Sequence, residues 1–418
     1  MKSLPQNSVD SIVTDPPYEL GFMGKSWDNS GIANNVEMWA EALRVLKPGG
    51  HLLAFSGSRT YHRMVCAIED AGFEIRDQIM WVYGSGFPKS LDVAKAIDKM
   101  AGVEFEAKPA SGVGFMNSSD DGYNTTLNQL VQIGESTDEA NKWKGWGTAL
   151  KPAHEPIVMA RKPFPKGYTV VQNVLEFGVG GLNIDGSRIP HLDEADRASA
   201  TPQGRVTSNT MAGAVPDVDD IGRKELDRPD TSKGRWPANF IHDNSEEVVQ
   251  LFPDTKSGTL NLAKINAENK TYGNRPKELS GEYEANSGSA ARFFYCAKAS
   301  KRDRNEGLNG FETKEKRYRA TANGTGATSK GMERFTTQPV PNHHPTVKPT
   351  SLMQYLVRLV TPKGGVVLDP FMGSGSTGKA CVYEGFNFIG IDQDLDYVGI
   401  AKARIEFAQD CKDSELPL

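Results

Sequence analysis

The chain has 418 residues, with 48 Lys+Arg against 53 Asp+Glu and a formal net charge of −5. Its length predicts about two or three domains, and its 38% hydrophobic content means that most of it buries a core rather than staying disordered. No run approaches about 18 consecutive apolar residues, which argues against a membrane span, and the acidic balance argues against coating nucleic acid by bulk charge, though not against local basic patches.

The first residues, MKSLPQNSVDSIVTDPPY, lack the apolar stretch of a signal peptide. Cys66, Cys296, Cys381 and Cys411 are scattered without a CxxC pair, which fits a reducing cytosol better than a disulfide framework or a cysteine zinc site. SVDSIVTD is a β-branched run, predicted as a strand ending on the turn Asp15-Pro16-Pro17-Tyr18. Val36, Trp39, Leu43 and Leu46 recur at helical spacing and stop at Lys47-Pro48-Gly49-Gly50. His51 to Phe55 reads as a buried strand, a helix follows Ser58, and FEIRDQIMWVY and EPIVMA read as further strands. Alternating strand and helix predicts an α/β fold with a mostly parallel sheet.

From about 165 to 340 the chain is rich in Gly, Asn, Ser, Thr and Asp, and helical periodicity is weak. Residues 191–230 hold nine acids and five bases, 298–334 ten bases and five acids, and 142–166 six bases and one acid. Lys142, Lys144, Arg161 and Lys162, then Arg292, Lys298, Lys301, Arg302 and Arg304, are candidate phosphate contacts, against the plain alternative of solvated loops. Trp81, Trp143, Trp146 and Trp236 are read as core aromatics. His343 and His344 point different ways as neighbours, with no third ligand nearby, so a metal site is not expected.

The last 70 residues repeat the strand–helix rhythm. Thr350 is expected to cap a helix carrying Leu352, Tyr355, Leu356 and Leu359, and GVVLD is a strand. Then Asp369-Pro-Phe-Met-Gly-Ser-Gly-Ser-Thr-Gly-Lys opens a helix, NFIGID is a strand, and a long helix starts near Asp396. Gly373, Gly375 and Gly378 satisfy G-x-G-x-x-G, with Asp392 placed to bond ribose hydroxyls, which suits a dinucleotide dehydrogenase. The P-loop reading fails because Ala380 stands where a magnesium-binding hydroxyl is required. A third reading adds Asp369, an acid suited to the cationic amino group of S-adenosylmethionine. The glycine turn by itself does not choose among them.

Asp15-Pro16-Pro17-Tyr18 narrows the choice. Two prolines stiffen the turn and remove two N–H donors, leaving carbonyls, a carboxylate and an aromatic face. That set suits an exocyclic amino group on a planar base, which stacks on an aromatic ring for about 1–3 kcal/mol. No Cys follows the prolines, which disfavours cytosine-C5 chemistry through a thiolate.

DPPY, DPFMGSGSTG, Gly390-Ile391-Asp392 and His344-Pro-Thr-Val-Lys-Pro349 occur in one chain. In this combination the sequence resembles the DNA amino-methyltransferases of adenine N6 and cytosine N4, in the motif order of their β group. The resemblance covers about 1–160 and 340–418, and strings such as KPAHEPIVMARKP and GRWPANFIHD look like phage and prophage members. It implies a Rossmann-like S-adenosylmethionine-dependent fold in circularly permuted order. A catalytic half, 1–164, and a cofactor half, 340–418, would enclose an inserted target-recognition region, 165–339.

By the same resemblance, Asp369, Phe371, Gly373 and Gly375 would hold S-adenosylmethionine, Asp392 its ribose, and Thr346 and Lys348 its carboxylate end. Asp15 with the Pro16 carbonyl would hold the target amino group, and Pro17 and Tyr18 complete the catalytic turn, with Tyr18 stacking on a base flipped from double-stranded DNA. DPPY is commoner in the adenine enzymes and Ser-Pro-Pro in the cytosine-N4 ones, so adenine is the expected target. An RNA or protein amide methyltransferase is the nearest rival, and the permuted order with its large insert favours DNA. Many relatives carry a dozen or more residues before the segment matching SLPQNSVDSIVTDPPY, so either the start is trimmed or that strand is missing. A homodimer, a cognate restriction nuclease and the recognition sequence are left open by the residues.

Overall fold

The computed structural model describes residues 1–20, 26–84, 86, 90–109, 128–133, 135–194, 196–197, 233–256, 287–297, 301–311, 314–319 and 335–414. Their centre is an eight-stranded sheet. Its strands are β1 (Val9–Thr14), β2 (Leu46–Phe55), β3 (Glu74–Val82), β4 (His154–Arg161), β5 (Phe240–His242), β6 (Tyr295–Cys296), β7 (Val366–Asp369) and β8 (Asn387–Gly390). In space they run β6-β5-β3-β4-β2-β1-β7-β8. Every neighbouring pair is parallel except the two that β4 makes, with β2 and with β3.

This order joins the two ends of the sequence. β1 pairs with β7 in the register Ser11 to Val367 and Ile12 to Leu368. The two halves expected from the motifs are therefore one continuous sheet. Residues expected within the insert also reach it: β5 lies beside β3, and β6 beside β5.

Period-2 alternation distributes the strands to two cores. Val13, Leu53, Phe55, Ile157 and Val367 face a layer that includes α4 (Thr350–Val360) and α5 (Ser376–Glu384), whose Leu352, Leu356 and Ala380 they meet. Ile12, Leu52, Ala54, Val158 and Leu368 face the opposite layer. There α1 (Val36–Val45) contributes Trp39, Ala42 and Val45, and α2 (Tyr61–Asp70) contributes Met64 and Ile68. α3 (Val170–Phe177) ties onto β2 through Asn173, whose amide donates to the Pro48 carbonyl at 2.9 Å. α6 (Leu395–Asp413) follows β8.

Four local expectations change. β2 starts at Leu46, not His51, because Leu46 is fully buried against Val9. The turn expected at Lys47–Gly50 becomes an irregular stretch of strand, with Gly49 at φ +81° and its N–H donating to the Lys162 carbonyl. Thr350 does not cap its own helix. It is the first helical residue, and its hydroxyl donates to Asp303. Of the four tryptophans read as core, only Trp81 is buried; Trp143, Trp146 and Trp236 are exposed.

Trp39 is among the largest fully buried side chains, and its indole N–H donates to the Ala33 carbonyl at 2.8 Å. Truncation leaves both a cavity and an unpaired carbonyl. Trp39→Ala should cost about 3–5 kcal/mol, read as a lower urea midpoint with unchanged slope.

Candidate active site

Parallel pairing of β1, β7 and β8 brings their C-terminal ends to one edge of the sheet, where open α/β sheets bind ligands. The chain leaves β1 through Asp15-Pro16-Pro17-Tyr18 and leaves β7 through Asp369 and the glycine turn. A direct bond locks the two exits: the Thr14 hydroxyl donates to Asp369 Oδ1 at 2.6 Å. Between them opens a cavity of about 1490 Å³. Its wall includes Asp15, Pro16, Pro17 and Tyr18, and also Phe371, Gly373, Asp392 and Thr346.

Asp369 itself turns inward. Its carboxylate accepts from the hydroxyls of Thr14 and Thr377 and from the Phe371 N–H, and it is not part of the cavity wall. Burial pushes its carboxyl up to about 6, against the opposing pull of those three donors. The expected cofactor acid is thus the post that holds the turn. Gly375 is likewise structural. At φ +79° it begins α5, and a Cβ there would lie 2.9 Å from Ala401 of α6.

Gly373 does face the cavity. At φ +49° its N–H donates to Asp392 Oδ2 at 2.8 Å, and a Cβ would meet the His344 ring at 2.6 Å. Only glycine leaves room there for backbone to approach a ligand. Lys379, the near-match to a P-loop lysine, is fully buried against Glu306 at 2.9 Å and is absent from the cavity wall.

The Asp15–Tyr18 turn is held by charge. The Lys348 ammonium lies 2.7 Å from Asp15 Oδ2 and 3.3 Å from Glu155 Oε2. It also sits over the rings of Phe55 and Tyr18, at 4.9 and 5.3 Å. Burial pulls this ammonium down, but the two carboxylates outweigh it and push it up to about 12. Lys348, expected near the cofactor carboxylate, is here the counter-ion of Asp15 and Glu155.

The Tyr18 hydroxyl donates to Glu155 Oε2 at 2.8 Å. Burial, then the neighbouring Asp15 and Glu155 carboxylates, push that phenol well above its ordinary range, so it stays a donor. Asp28 accepts from the N–H groups of Tyr18 and Glu19, and the Thr60 hydroxyl donates to the Tyr18 carbonyl. Asp15 Oδ2 is thus engaged with Lys348, while Oδ1 is buried and accepts no hydrogen bond of ordinary geometry.

Glu155 was not anticipated. The sequence signal was present: it is the single acid among the six bases of 142–166, at the head of an apolar strand. Because β4 runs antiparallel to β2 and β3, its first residues lie at the edge where its neighbours end. Asp28 and Thr60 had no comparable signal.

The candidate phosphate contacts divide. Arg161 is bound to Glu74 at 2.5 Å and lies over the Phe164 ring. Lys162 donates to Asn7 Oδ1 and the Leu46 carbonyl. Both sit at the sheet edge opposite the cavity, since Arg161 pairs with Glu74 at the start of β3. Arg292 is bound to Asp196 at 2.9 Å, with only 8% of its side chain exposed. Arg304 donates to the His344 carbonyl. These four serve the fold. Lys301 and Arg302 begin the short helix Lys301–Asn305, and Lys298 lies outside the described residues. Lys142 and Lys144 are exposed, Lys142 beside Glu139.

A family model described as DNA methylase, covering N6 and N4 enzymes, matches residues 9–403. The chain belongs to that family. Its members take the methyl group from S-adenosylmethionine. Among curated relatives, the Type II methyltransferase M.HindIII of Haemophilus influenzae is 26% identical over 225 residues, 44% of this chain and 61% of that protein. M2.DpnII of Streptococcus pneumoniae, also a Type II methyltransferase, is 39% identical over 82 residues, 20% of this chain and 29% of that one. The match thus spans less than two thirds of either relative. Among solved structures, the PvuII cytosine-N4-specific DNA methyltransferase aligns over 99% of this chain and 87% of its own, at 14% identity and a TM-score of 0.39.

The raised Asp369 carboxyl has a pH consequence. A group raised on folding contributes stability that is full below its unfolded value, near 4, and lost as pH rises through about 6. Asp369→Asn removes this dependence. Urea midpoints at about pH 5 and about pH 8 should shift in favour of the variant at the higher pH.

Proposed function

We propose that the protein is a site-specific DNA methyltransferase that methylates the exocyclic N6 of adenine in double-stranded DNA. One observation carries the reading. Asp15 lines the cavity, and its Oδ1 is a buried acceptor without an ordinary donor, beside a turn in which two prolines have removed N–H groups. Buried acceptors of this kind call for a partner. An amino group on a flat ring supplies one.

The cavity also fits the cofactor. Asp15, Asp28, Glu155, Asp392 and Asp394 line it, against Arg59 and Lys151. Such a wall suits a cationic sulfonium better than the pyrophosphate of a dinucleotide, which weakens the oxidoreductase alternative. Phe371, Gly373, Thr346 and Asp392 would hold S-adenosylmethionine. When bound, it supplies an electrophilic methyl carbon.

The residues of the chain do the remainder. Asp15 Oδ1 and the Pro16 carbonyl accept the two amino protons and favour the pyramidal nitrogen of the transition state. Lys348 fixes the Asp15 carboxylate, and Glu155 fixes the Tyr18 ring that stacks on the base. As the nitrogen gained its bond to the methyl carbon, the carbon–sulfur bond would break to leave a neutral thioether, and the nitrogen would give up one proton, for which Asp15 is the nearby acceptor. Alignment of nitrogen and methyl is the main contribution of the site. Extruding the base from the duplex costs a few kcal/mol.

Adenine rather than cytosine rests on the turn being Asp-Pro-Pro-Tyr. A cytoplasmic location follows from the proposed substrate, and none of the described helices is long and apolar enough to cross a membrane. A homodimer and a companion restriction nuclease belong to the same proposal.

Labelled methyl should pass from S-adenosylmethionine to unmethylated duplex DNA, and digestion should yield N6-methyladenine. Asp15→Ala should lower the rate roughly a hundredfold or more. Recovery of N4-methylcytosine alone would reverse the base assignment. Label in RNA or protein but not in DNA would overturn the substrate.

A further inference from the structure

Residues 141–153 form an unbroken exposed stretch leading into β4. It is tethered nonetheless. The N–H groups of Thr148 and Ala149 donate to Ser90 Oγ at 2.9 and 3.2 Å, the Leu91 N–H donates to Thr148 Oγ1, and the Val93 N–H donates to the Trp146 carbonyl. The far end is anchored by Glu155 in the floor of the cavity.

What this stretch displays is unusual for a solvated loop. Leu150 is 92% exposed and Trp146 61%. Trp146 meets Trp143 edge-on at 5.3 Å. Lys142, Lys144 and Lys151 are interleaved with them and exposed. Thr148 through Pro152 form part of the cavity wall. An apolar tip therefore stands at the rim of the cavity that would receive the base, flanked by cations.

We propose that Leu150 enters the duplex where the target base leaves it. The inference rests on the DNA reading above. Extrusion leaves a gap between base steps, and apolar side chains are the groups that proteins insert there. Lys142, Lys144 and Lys151 then meet backbone phosphate, which positions a protein without reading sequence. Three cations with exposed aromatic rings favour nucleic acid over a protein surface as the occupant. Leu150 is thus a positioning residue: it holds the extruded state and touches no reacting atom.

The test begins by mapping the methylated site in DNA modified by the protein. A duplex carrying that site, with a fluorescent base analogue at the target position, is then bound without cofactor. The unsubstituted protein should raise the fluorescence as the analogue leaves the stack. Leu150→Gly should reduce that rise at least about fivefold, and methylation of the paired site about tenfold. Mismatching the target lowers the cost of extrusion, so the variant should return to within about threefold of the parent on that duplex. Leu150→Phe should keep the fluorescence response.

An unchanged fluorescence rise in Leu150→Gly, or equal losses on paired and mismatched sites, would overturn the inference. So would a dimer of the free protein that Leu150→Gly converts to monomer in sedimentation, since the stretch would then be an interface between copies. If the unsubstituted protein methylates no DNA at all, it is the proposed function that fails.

Discussion

The pairing of β1 with β7 is the constraint on which the rest depends. It sets Thr14 beside Asp369, 355 positions apart in the chain, and closes the contact with a hydrogen bond of 2.6 Å. Because both strands run the same way, their exits lie at one edge, and one exit carries the Asp15–Tyr18 turn while the other carries the glycine turn. Loops alone would not hold two such turns in register. Here the register is set by buried strands, with Val13 and Val367 in one core and Ile12 and Leu368 in the other. A slip of one residue would exchange those faces, so the spacing of the two turns is as stable as the sheet.

The second level of organisation is electrostatic. Asp15 and Glu155 come from different strands, and two carboxylates in one buried pocket repel. Lys348, from the segment before α4, lies between them and makes the pair tolerable. The cation is placed on one oxygen of Asp15, leaving the other buried without a hydrogen-bond partner of ordinary geometry. Tyr18 is fixed through Glu155 in the same network. Preorganisation of this kind is where enzymes gain most of their electrostatic advantage. It leaves the Asp15 carboxylate and the Tyr18 ring already fixed in place.

Much of this was legible in the sequence. Strand and helix periods located β1, β3, β4, β7, β8 and the main helices, because each buries a face with its own repeat. The motif turns were legible because prolines and glycines are local instructions. What was not legible is what depends on strand order. Glu155 became part of the site only because β4 is antiparallel and lies between β2 and β3, a fact with no local signature. The motif marks Asp369 and Gly375 as expected cofactor contacts. The structure instead turns one inward to Thr14 and Thr377 and packs the other on Ala401. A glycine or an acid in a motif signals a backbone requirement, and the requirement can be structural.

The basic residues make the same point about charge. A count of lysines and arginines marked 142–166 as one basic island, yet the fold divides it. Arg161 and Lys162 are bound within the structure at the edge away from the cavity. Lys142, Lys144 and Lys151 stand in solvent on the stretch that reaches the cavity rim. Cations already paired with buried carboxylates or carbonyls are costly to withdraw for phosphate, because the partner is left unpaired. Exposed ones lose little. The net charge of −5 therefore says less about DNA than the location of three exposed lysines, and the one acid in that island, Glu155, lines the cavity.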